Sequence, residues 1–445
     1  MSVNSCATSA ATVRCSDVAI GTQADKAPFG LLGRTLGHSW SPWIHNLLGS
    51  APYALFEREP KEVASFIRHG TWRGINVTIP YKRNAFELAD ETSDRAARLG
   101  VANTLVRRPD GTVFADNTDV GGFSWMLDRF CRRTMGASAK EALDGAPVLV
   151  LGSGGASRAV QAALAECGAR ASVVSRKGSD NYTNLIERHG DARLVVNTTP
   201  VGMYPACPAS PLTTEQLSAL GHLGGVLDVV YNPARTGLCL AADGLGIPYE
   251  SGLAMLVSQA KQSSELFQGI GIDDGEVARI EAGLRAQMLN IIIIGMPGVG
   301  KTSTGAALAH RLNRPFIDMD DAFELEHGIG AGDYIRQKGE PAFRDAETIV
   351  LSSYASRSGL VIACGGGVVE RPENYRLLHQ NGTIVMLDRP IENLSTFGRP
   401  VSQAEGVAAI AHRRMGLYRR WADLIVPCTG TPSGDAAEIC SKLSW

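Results

Sequence analysis

Across its 445 residues the chain has little that would mark a specialised environment. No apolar run nears the ~20 residues that a membrane-spanning helix needs. A formal net charge of −2 gives no global attraction to nucleic acid or to an anionic membrane. The nine cysteines are scattered, odd in number and form no CxxC pair, which argues against a disulfide framework. The nine histidines show no HExxH or other zinc-like spacing. Free thiols in a reducing compartment, and so a cytoplasmic location, are expected. Residues 1–27 lack the apolar stretch of a secretory signal and hold only two basic residues, so they read as a disordered tail.

What is present is ordinary globular composition, 44% hydrophobic and 20% charged. The length favours two or three domains. Short apolar runs alternate with helical patterns throughout, which predicts an α/β fold. From Phe29, "FGLLGR", "YALFER", "GINVTIP" and "NTLVRR" read as strands, with "KEVASFIRHG" and "SDRAARLG" as helices between them. This first α/β unit spans 28–120, and the helix 252–270 is expected to complete it. A second, Rossmann-like unit covers 121–272, with strands in "APVLVLG", "ASVVSRK", "LVVNTTP" and "GVLDVVYNP". A charged helical linker is expected at 273–288. A third unit, 289–445, opens with "LNIIIIG", and its continuous apolar strands suit a parallel sheet covered on both faces.

Two glycine-rich turns carry chemistry. "LGSGGASR" follows a strand and opens a helix, so Gly152, Ser153, Gly154, Gly155 and Ala156 suit a pyrophosphate resting on backbone N–H groups. Ser157 stands where a GxGxxG motif has its third glycine. The next strand ends in Arg176 and Lys177, which suit a 2′-phosphate and so NADP(H) over NAD; basic residues at a strand end are also common on surfaces. "GMPGVGKT" matches the phosphate-loop pattern at every fixed position. Gly298, Val299, Gly300, Lys301, Thr302 and Ser303 would cradle the phosphates of ATP, with Lys301 on the β/γ oxygens and Thr302 on Mg²⁺.

Polar residues gather around both turns. In the first unit Ser39, Ser41, Asn76, Thr78, Lys82, Asn103, Asn117 and Asp119 lie near strand ends, a set that suits a small polyhydroxylated ligand. Singly, each serves equally well as a cap or turn residue, Ser41 before Pro42 being an example. In the third unit Asp318, Asp320, Arg344, Arg399, Arg414 and the glycines 365–367 suit an anionic acceptor with a reactive hydroxyl.

The motifs "GHSWSP", "NVTIPYK", "GVANTL", "DNTDVGGF", "LGSGGASR", "NTTPVGM", "DVVYNP" and "GLAMLVSQA", in this order, make residues 28–272 resemble a shikimate dehydrogenase. The resemblance implies NADPH-dependent reduction of 3-dehydroshikimate. Lys82 and Asp119 would then be the catalytic pair, and Ser39 and Ser41 would hold the substrate carboxylate. Thr78, Asn103, Tyr231 and Gln259 would contact the ring, with Asp119. Some positions depart from the family pattern: "GVANTL" for GAVNT, "NTTPVGM" for NATSVGM, and serine in "SGLAML" where aspartate is common. Quinate therefore stays open as a substrate.

Residues 289–445 resemble a shikimate kinase. The resemblance implies Asp320 on the ring hydroxyls and as proton acceptor, and Arg344 and Arg414 on the acceptor carboxylate. It also implies close backbone approach at Gly366, Arg399 on the transferring phosphoryl group, and Asp318 acting through the metal. Here "RMGLY" lacks the proline of RxPLY, and "GRPVS" lacks the leucines usual after RP. Together the two resemblances imply a bifunctional enzyme whose first product, shikimate, is its second substrate. The rival expectation is a shikimate or quinate dehydrogenase with a nucleotide-sensing C-terminal domain that transfers nothing.

Overall fold

Buried aliphatic runs build three sheets in a computed structural model that describes residues 28–37, 39–394 and 406–443. The expected tail at 1–27 and Arg399 lie outside the described residues. By Cα packing the chain forms two compact units. One comprises residues up to Asp144 with Gly155–Ala169 and Ala254–Ile280; the other comprises Gly145–Gly154, Arg170–Leu253 and everything from Glu281.

The first unit holds a six-stranded mixed sheet in the order Tyr53–Glu57, Phe29–Gly33, Gly74–Val77, Thr104–Arg107, Val113–Asp116, Glu91–Thr92. The first three strands are parallel. Thr104–Arg107 then runs antiparallel to both of its neighbours. A tight turn joins it to Val113–Asp116: Gly111 takes φ +92°, and Asp110 Oδ1 accepts from Thr112 N at 2.9 Å. Sequence reading did not single out this hairpin, although "PDG" is a turn signal. Register sets Asn76 opposite Thr104, and Thr104 opposite Asp116. Polar side chains from three strands are thereby lined up at one end of the sheet.

Two helices meet at that end. Thr118–Met135 starts as soon as the last of these strands stops, with Asn117 as its cap accepting from Asp119 N at 3.2 Å. Leu253–Gln268 returns to the same unit from far along the chain. The two can approach because Gly121 and Gly122 lack side chains. A Cβ on Gly122 would stand 2.8 Å from Gln259 Cβ and 2.9 Å from Met255 O. The segment expected as a linker is a helix, Gly275–Met288, buried along Val277, Ile280, Leu284 and Met288.

The second unit contains two five-stranded sheets, both wholly parallel. One has the order Tyr249–Glu250, Gly225–Asp228, Leu194–Asn197, Pro147–Leu151, Arg170–Val174. The other has the order Phe316–Asp318, Val361–Ala363, Asn290–Ile294, Gly382–Asp388, Leu424–Pro427. Each glycine turn leaves the carboxyl end of an interior strand, where ligands bind in open α/β sheets.

The loop after Gly225–Asp228 is fastened to the start of Gly382–Asp388. Arg235 N donates to Gln380 O at 2.8 Å, and Arg235 Nη1 donates to His379 O at 2.7 Å and to Gly382 O at 3.3 Å. Ala234 N donates to Asn381 Oδ1 at 3.1 Å. Burial, with the Arg235 cation beside it, pushes His379 down to about 3, so its ring is neutral here. Replacing Arg235 with alanine removes the two side-chain bonds. It is expected to lower stability by about 1–3 kcal/mol, read as a lower urea midpoint.

Candidate functional site

In the first unit Lys82 opens the short helix Lys82–Glu87, and its Nζ lies 2.6 Å from Asp119 Oδ2. Both side chains keep some access to solvent, 27% and 15% exposed, so the pair is reachable. Asp119 is held on its other oxygen by Asn103 Nδ2 at 2.9 Å. Asn103 is fixed in turn, since its Oδ1 accepts from Thr118 N at 2.8 Å.

Behind this pair runs a buried seam of hydroxyl and amide groups. Ser263, on the helix Leu253–Gln268, lies 2.7 Å from Asn76 Nδ2, 2.9 Å from Thr104 Oγ1 and 3.0 Å from Thr118 Oγ1. Tyr53 donates to Asn76 Oδ1 at 2.8 Å, and its hydroxyl also contacts the Ser41 side chain. Ser39 Oγ accepts at 3.2 Å from the N–H of Ser41, the first residue of the helix Ser41–Leu47, whose N-cap is Trp40. Gln259 Oε1 accepts from Thr118 Oγ1 at 3.4 Å. Ser39, Ser41, Asn103, Asp119, Lys82 and Gln259 therefore share one polar system, while Thr78 sits half-buried just past the strand Gly74–Val77. Tyr231 belongs to the other compact unit.

The turn after Pro147–Leu151 suits an anion. Gly152 takes φ +102°, and side chains added at Gly154 or Gly155 would meet no protein atom within 4 Å, which leaves the backbone open to a pyrophosphate. Ser157 is fully buried, and its Oγ accepts from Gln161 Nε2 at 3.0 Å, so serine is accommodated where the motif has glycine. Arg176 and Lys177 are exposed just beyond Arg170–Val174.

At the second loop Gly298 and Gly300 take φ +89° and +107°, conformations open to glycine that turn the backbone around a phosphate-sized space. Lys301 Nζ donates to Gly295 O and Met296 O at 3.0 and 3.1 Å, folded over the loop. Thr302 Oγ1 donates to Asp318 Oδ2 at 2.7 Å, which brings together the hydroxyl and carboxylate that Mg²⁺ would use. Among the described residues no three His, Cys, Asp or Glu side chains converge as a metal cage. Mg²⁺ binds through one or two carboxylates together with substrate phosphates, and the Thr302–Asp318 pair offers one such carboxylate.

Next to that loop is an acceptor-sized cradle. Pro297 packs on Gly366, where a Cβ would approach to 2.8 Å. A Cβ on Gly365 would stand 3.2 Å from Asp320 Oδ1, and one on Gly367 would stand 2.2 Å from the Arg344 guanidinium. Arg344 Nη1 donates to Glu347 at 2.8 Å. Arg414, 2% exposed, donates to Gly366 O at 3.2 Å and to Glu370 Oε2 at 2.9 Å. Burial pushes the Glu347 carboxyl upward against the pull of Arg344.

The shikimate kinase family model matches residues 297–444, and the model for the shikimate dehydrogenase substrate binding domain matches residues 31–105. The shikimate dehydrogenase (NADP(+)) of Dinoroseobacter shibae is 35% identical over 266 residues, which is 54% of this chain and 91% of that protein. The chain belongs to the shikimate dehydrogenase family. The corresponding enzyme of Oleidesulfovibrio alaskensis is 36% identical over 261 residues, covering 54% of this chain and 89% of its own. Among solved structures, a chorismate mutase/shikimate 5-dehydrogenase fusion protein from Clostridium acetobutylicum is 33% identical. It matches 57% of this chain and 96% of its own, with a TM-score of 0.51. The dehydrogenase part is thus joined to a C-terminal shikimate kinase domain, and the fold is α/β with parallel sheets at both nucleotide loops.

Some residues of these sites escaped sequence reading. Glu347 was visible at i+3 from Arg344 on one helix, a spacing that pairs charges. Ser263, Glu370 and Arg95 have no local signature. Arg95 grips Asp116 through two bonds of 2.7 and 2.5 Å, and Asp116 Oδ1 also accepts from Asn117 N at 2.7 Å. Burial alone would raise Asp116, but Arg95, Ser93 and that N–H hold it below the ordinary carboxylate range. Its stabilisation is therefore present at neutral pH and lost as pH falls through the lowered value. Arg95→Gln is expected to cost about 1–3 kcal/mol in urea unfolding at pH 7 and less on the acid side, once Asp116 is protonated.

Proposed function

We propose that this chain catalyses two consecutive reactions, reduction of 3-dehydroshikimate to shikimate and phosphorylation of shikimate to shikimate 3-phosphate. The observation that carries the reading is the coexistence of two sets of residues, one in each compact unit. One is Lys82 held on Asp119 at 2.6 Å; the other is a phosphate loop packed against a glycine cradle that bears Arg344 and Arg414. When bound, NADPH supplies the hydride, and ATP with Mg²⁺ supplies the phosphoryl group.

For the reduction, Ser39 and Ser41 hold the substrate carboxylate, while Asn103, Thr78 and Gln259 contact the ring. As hydride reaches the C3 carbonyl carbon, the Lys82 ammonium gives a proton to the oxygen. Asp119 keeps Lys82 aimed and favours its charged form before transfer. Backbone N–H groups around Gly154 and Gly155 carry the pyrophosphate, and Arg176 and Lys177 take the 2′-phosphate. Those exposed cations favour NADP over NAD.

For the phosphorylation, Arg344 and Arg414 hold the acceptor carboxylate, which turns the 3-hydroxyl toward the phosphate loop. Asp320 takes the hydroxyl proton as the new P–O bond forms and the bond to ADP breaks. Lys301 would neutralise charge on the β/γ oxygens, Thr302 and Asp318 would hold Mg²⁺, and Arg399 would stabilise the transferring group. The described cysteines are free and no described helix is long and apolar enough to cross a membrane, which supports action in the cytoplasm.

Lys82→Ala is expected to slow the reduction by about 10²–10⁴-fold while phosphorylation continues. Lys301→Ala is expected to abolish phosphorylation and spare reduction. NADPH oxidation and shikimate 3-phosphate formation, measured on the same preparations, check both. A folded variant that lost both activities would sink the two-site reading.

A further inference from the structure

The arginine pair assigned above to the acceptor carboxylate already has a carboxylate on it. Glu370 Oε2 lies 2.9 Å from Arg414 Nη2 and 3.2 Å from Arg344 Nη2, and Oε1 lies 2.8 Å from Arg413 Nε. One oxygen of Glu370 is thus shared by two guanidinium groups. A carboxylate bound at full strength meets a guanidinium with two parallel N–H···O bonds. Neither arginine has that here.

What each guanidinium has left is also visible. Arg344 gives Nη1 to Glu347, and Nη2 to Glu340 and Glu370; Arg414 gives Nη1 to Gly366 O and Nη2 to Glu370. The Nε of both is buried with no partner among the described residues. An unpaired buried charged donor is costly, so the pair retains a drive toward a better-placed anion. Its backbone setting is fixed, because Arg344 lies flat against Gly367 and Arg414 is tied to the carbonyl of Gly366. Glu370 is the movable member: it ends the short helical turn Val368–Glu370 and remains 21% exposed.

We propose that Glu370 is an internal counter-carboxylate, holding the arginine pair until the carboxylate of the acceptor displaces it, and thereby setting acceptor affinity. The proposal rests on the reading of this pocket as the site of a carboxylate-bearing acceptor. Glu370 acts through the arginines as a specificity residue. It keeps the pair ordered and offsets part of its charge when empty, and it makes every incoming anion compete with a tethered one. Small anions that engage only one arginine compete poorly, while a planar carboxylate presented by a ring seated on Gly366 competes well.

The test compares the full chain with its Glu370→Gln and Glu370→Asp variants. Calorimetry without ATP measures binding of shikimate and of cyclohex-1-ene-1-carboxylate, which keeps the carboxylate but lacks the hydroxyls. Steady-state assays give KM and kcat for shikimate. Removing the competing charge is expected to tighten both ligands about three- to tenfold, with KM falling more than kcat changes. The aspartate variant, which keeps the charge, is expected to tighten less. Unchanged or weaker binding by Glu370→Gln would mean that Glu370 merely braces the arginines, and the proposal would fall. If the unaltered chain binds neither ligand, the acceptor-site reading falls with it. A structure of the unaltered chain with shikimate bound decides independently of any variant. Glu370 withdrawn from Arg344 and Arg414 supports displacement, and Glu370 still on both of them overturns it.

Discussion

The dehydrogenase part depends on one constraint: polar groups inside it must find partners, and a helix from far along the chain provides them. Ser263 bonds to Thr104 across 159 residues of sequence, and to Asn76 and Thr118 besides. Without that hydroxyl, Asn76, Thr104 and Thr118 would each lose one of their hydrogen bonds, at about 0.5–1.5 kcal/mol apiece. The same contacts orient Asn103 and so Asp119. The next residue of the same helix, Ser264, reaches Ser50 at 2.9 Å, and Ser50 reaches the ring of His45 at 2.7 Å. Burial pushes His45 down to about 3, so it enters the seam as a neutral ring. The placement of Lys82 follows from a chain of satisfied hydrogen bonds more than from any local motif.

The kinase part meets the opposite problem, an excess of buried cation. Arg344 and Arg414 are nearly enclosed, and cations in such a place need counter-charges. Glu347 and Glu370 supply them, and the arginines together with Arg413 hold Glu370 below its ordinary range despite its partial burial. The glycines at 365–367 are the steric counterpart. They let guanidinium, Asp320 and Pro297 crowd against bare backbone, so the acceptor cradle and the phosphate loop share a wall.

Much of this could be read from sequence, because parallel strands buried on both faces leave continuous apolar runs. "NIIII" and "PVLVL" became strands of the two parallel sheets. The strands Glu91–Thr92, Tyr249–Glu250 and Leu424–Pro427 were not singled out; two are dipeptides and the third alternates buried and exposed positions around a proline. Site residues were legible where a local motif carries them, as at Lys301 and Thr302. Ser263, Arg95 and Glu370 were not, since their meaning lies in partners tens of residues away, and a serine or glutamate on a helix looks the same whatever it will meet. Glycine was a middle case. The pair at 121 and 122 was visible, but its reason, the approach of Gln259 and Met255, belongs to the tertiary fold.

Two anion-binding turns in one chain invite the question of how each avoids the other's ligand. Both use backbone N–H groups at a helix start, which favour any phosphate alike. Discrimination must come from what surrounds them. The first turn carries only small side chains in the loop itself, with Arg158 following in the helix Gly155–Glu166 and further cations at Arg176 and Lys177 beyond the next strand. That arrangement matches a pyrophosphate in the middle of a ligand and a monophosphate some distance from it. The second turn carries its cation within the loop, at Lys301, and sets Thr302 on Asp318 at 2.7 Å. That arrangement matches a terminal polyphosphate with its metal. Charge placed outside the loop selects a dinucleotide, and charge placed in the loop selects a triphosphate, so one chain can hold both turns without their sharing a ligand.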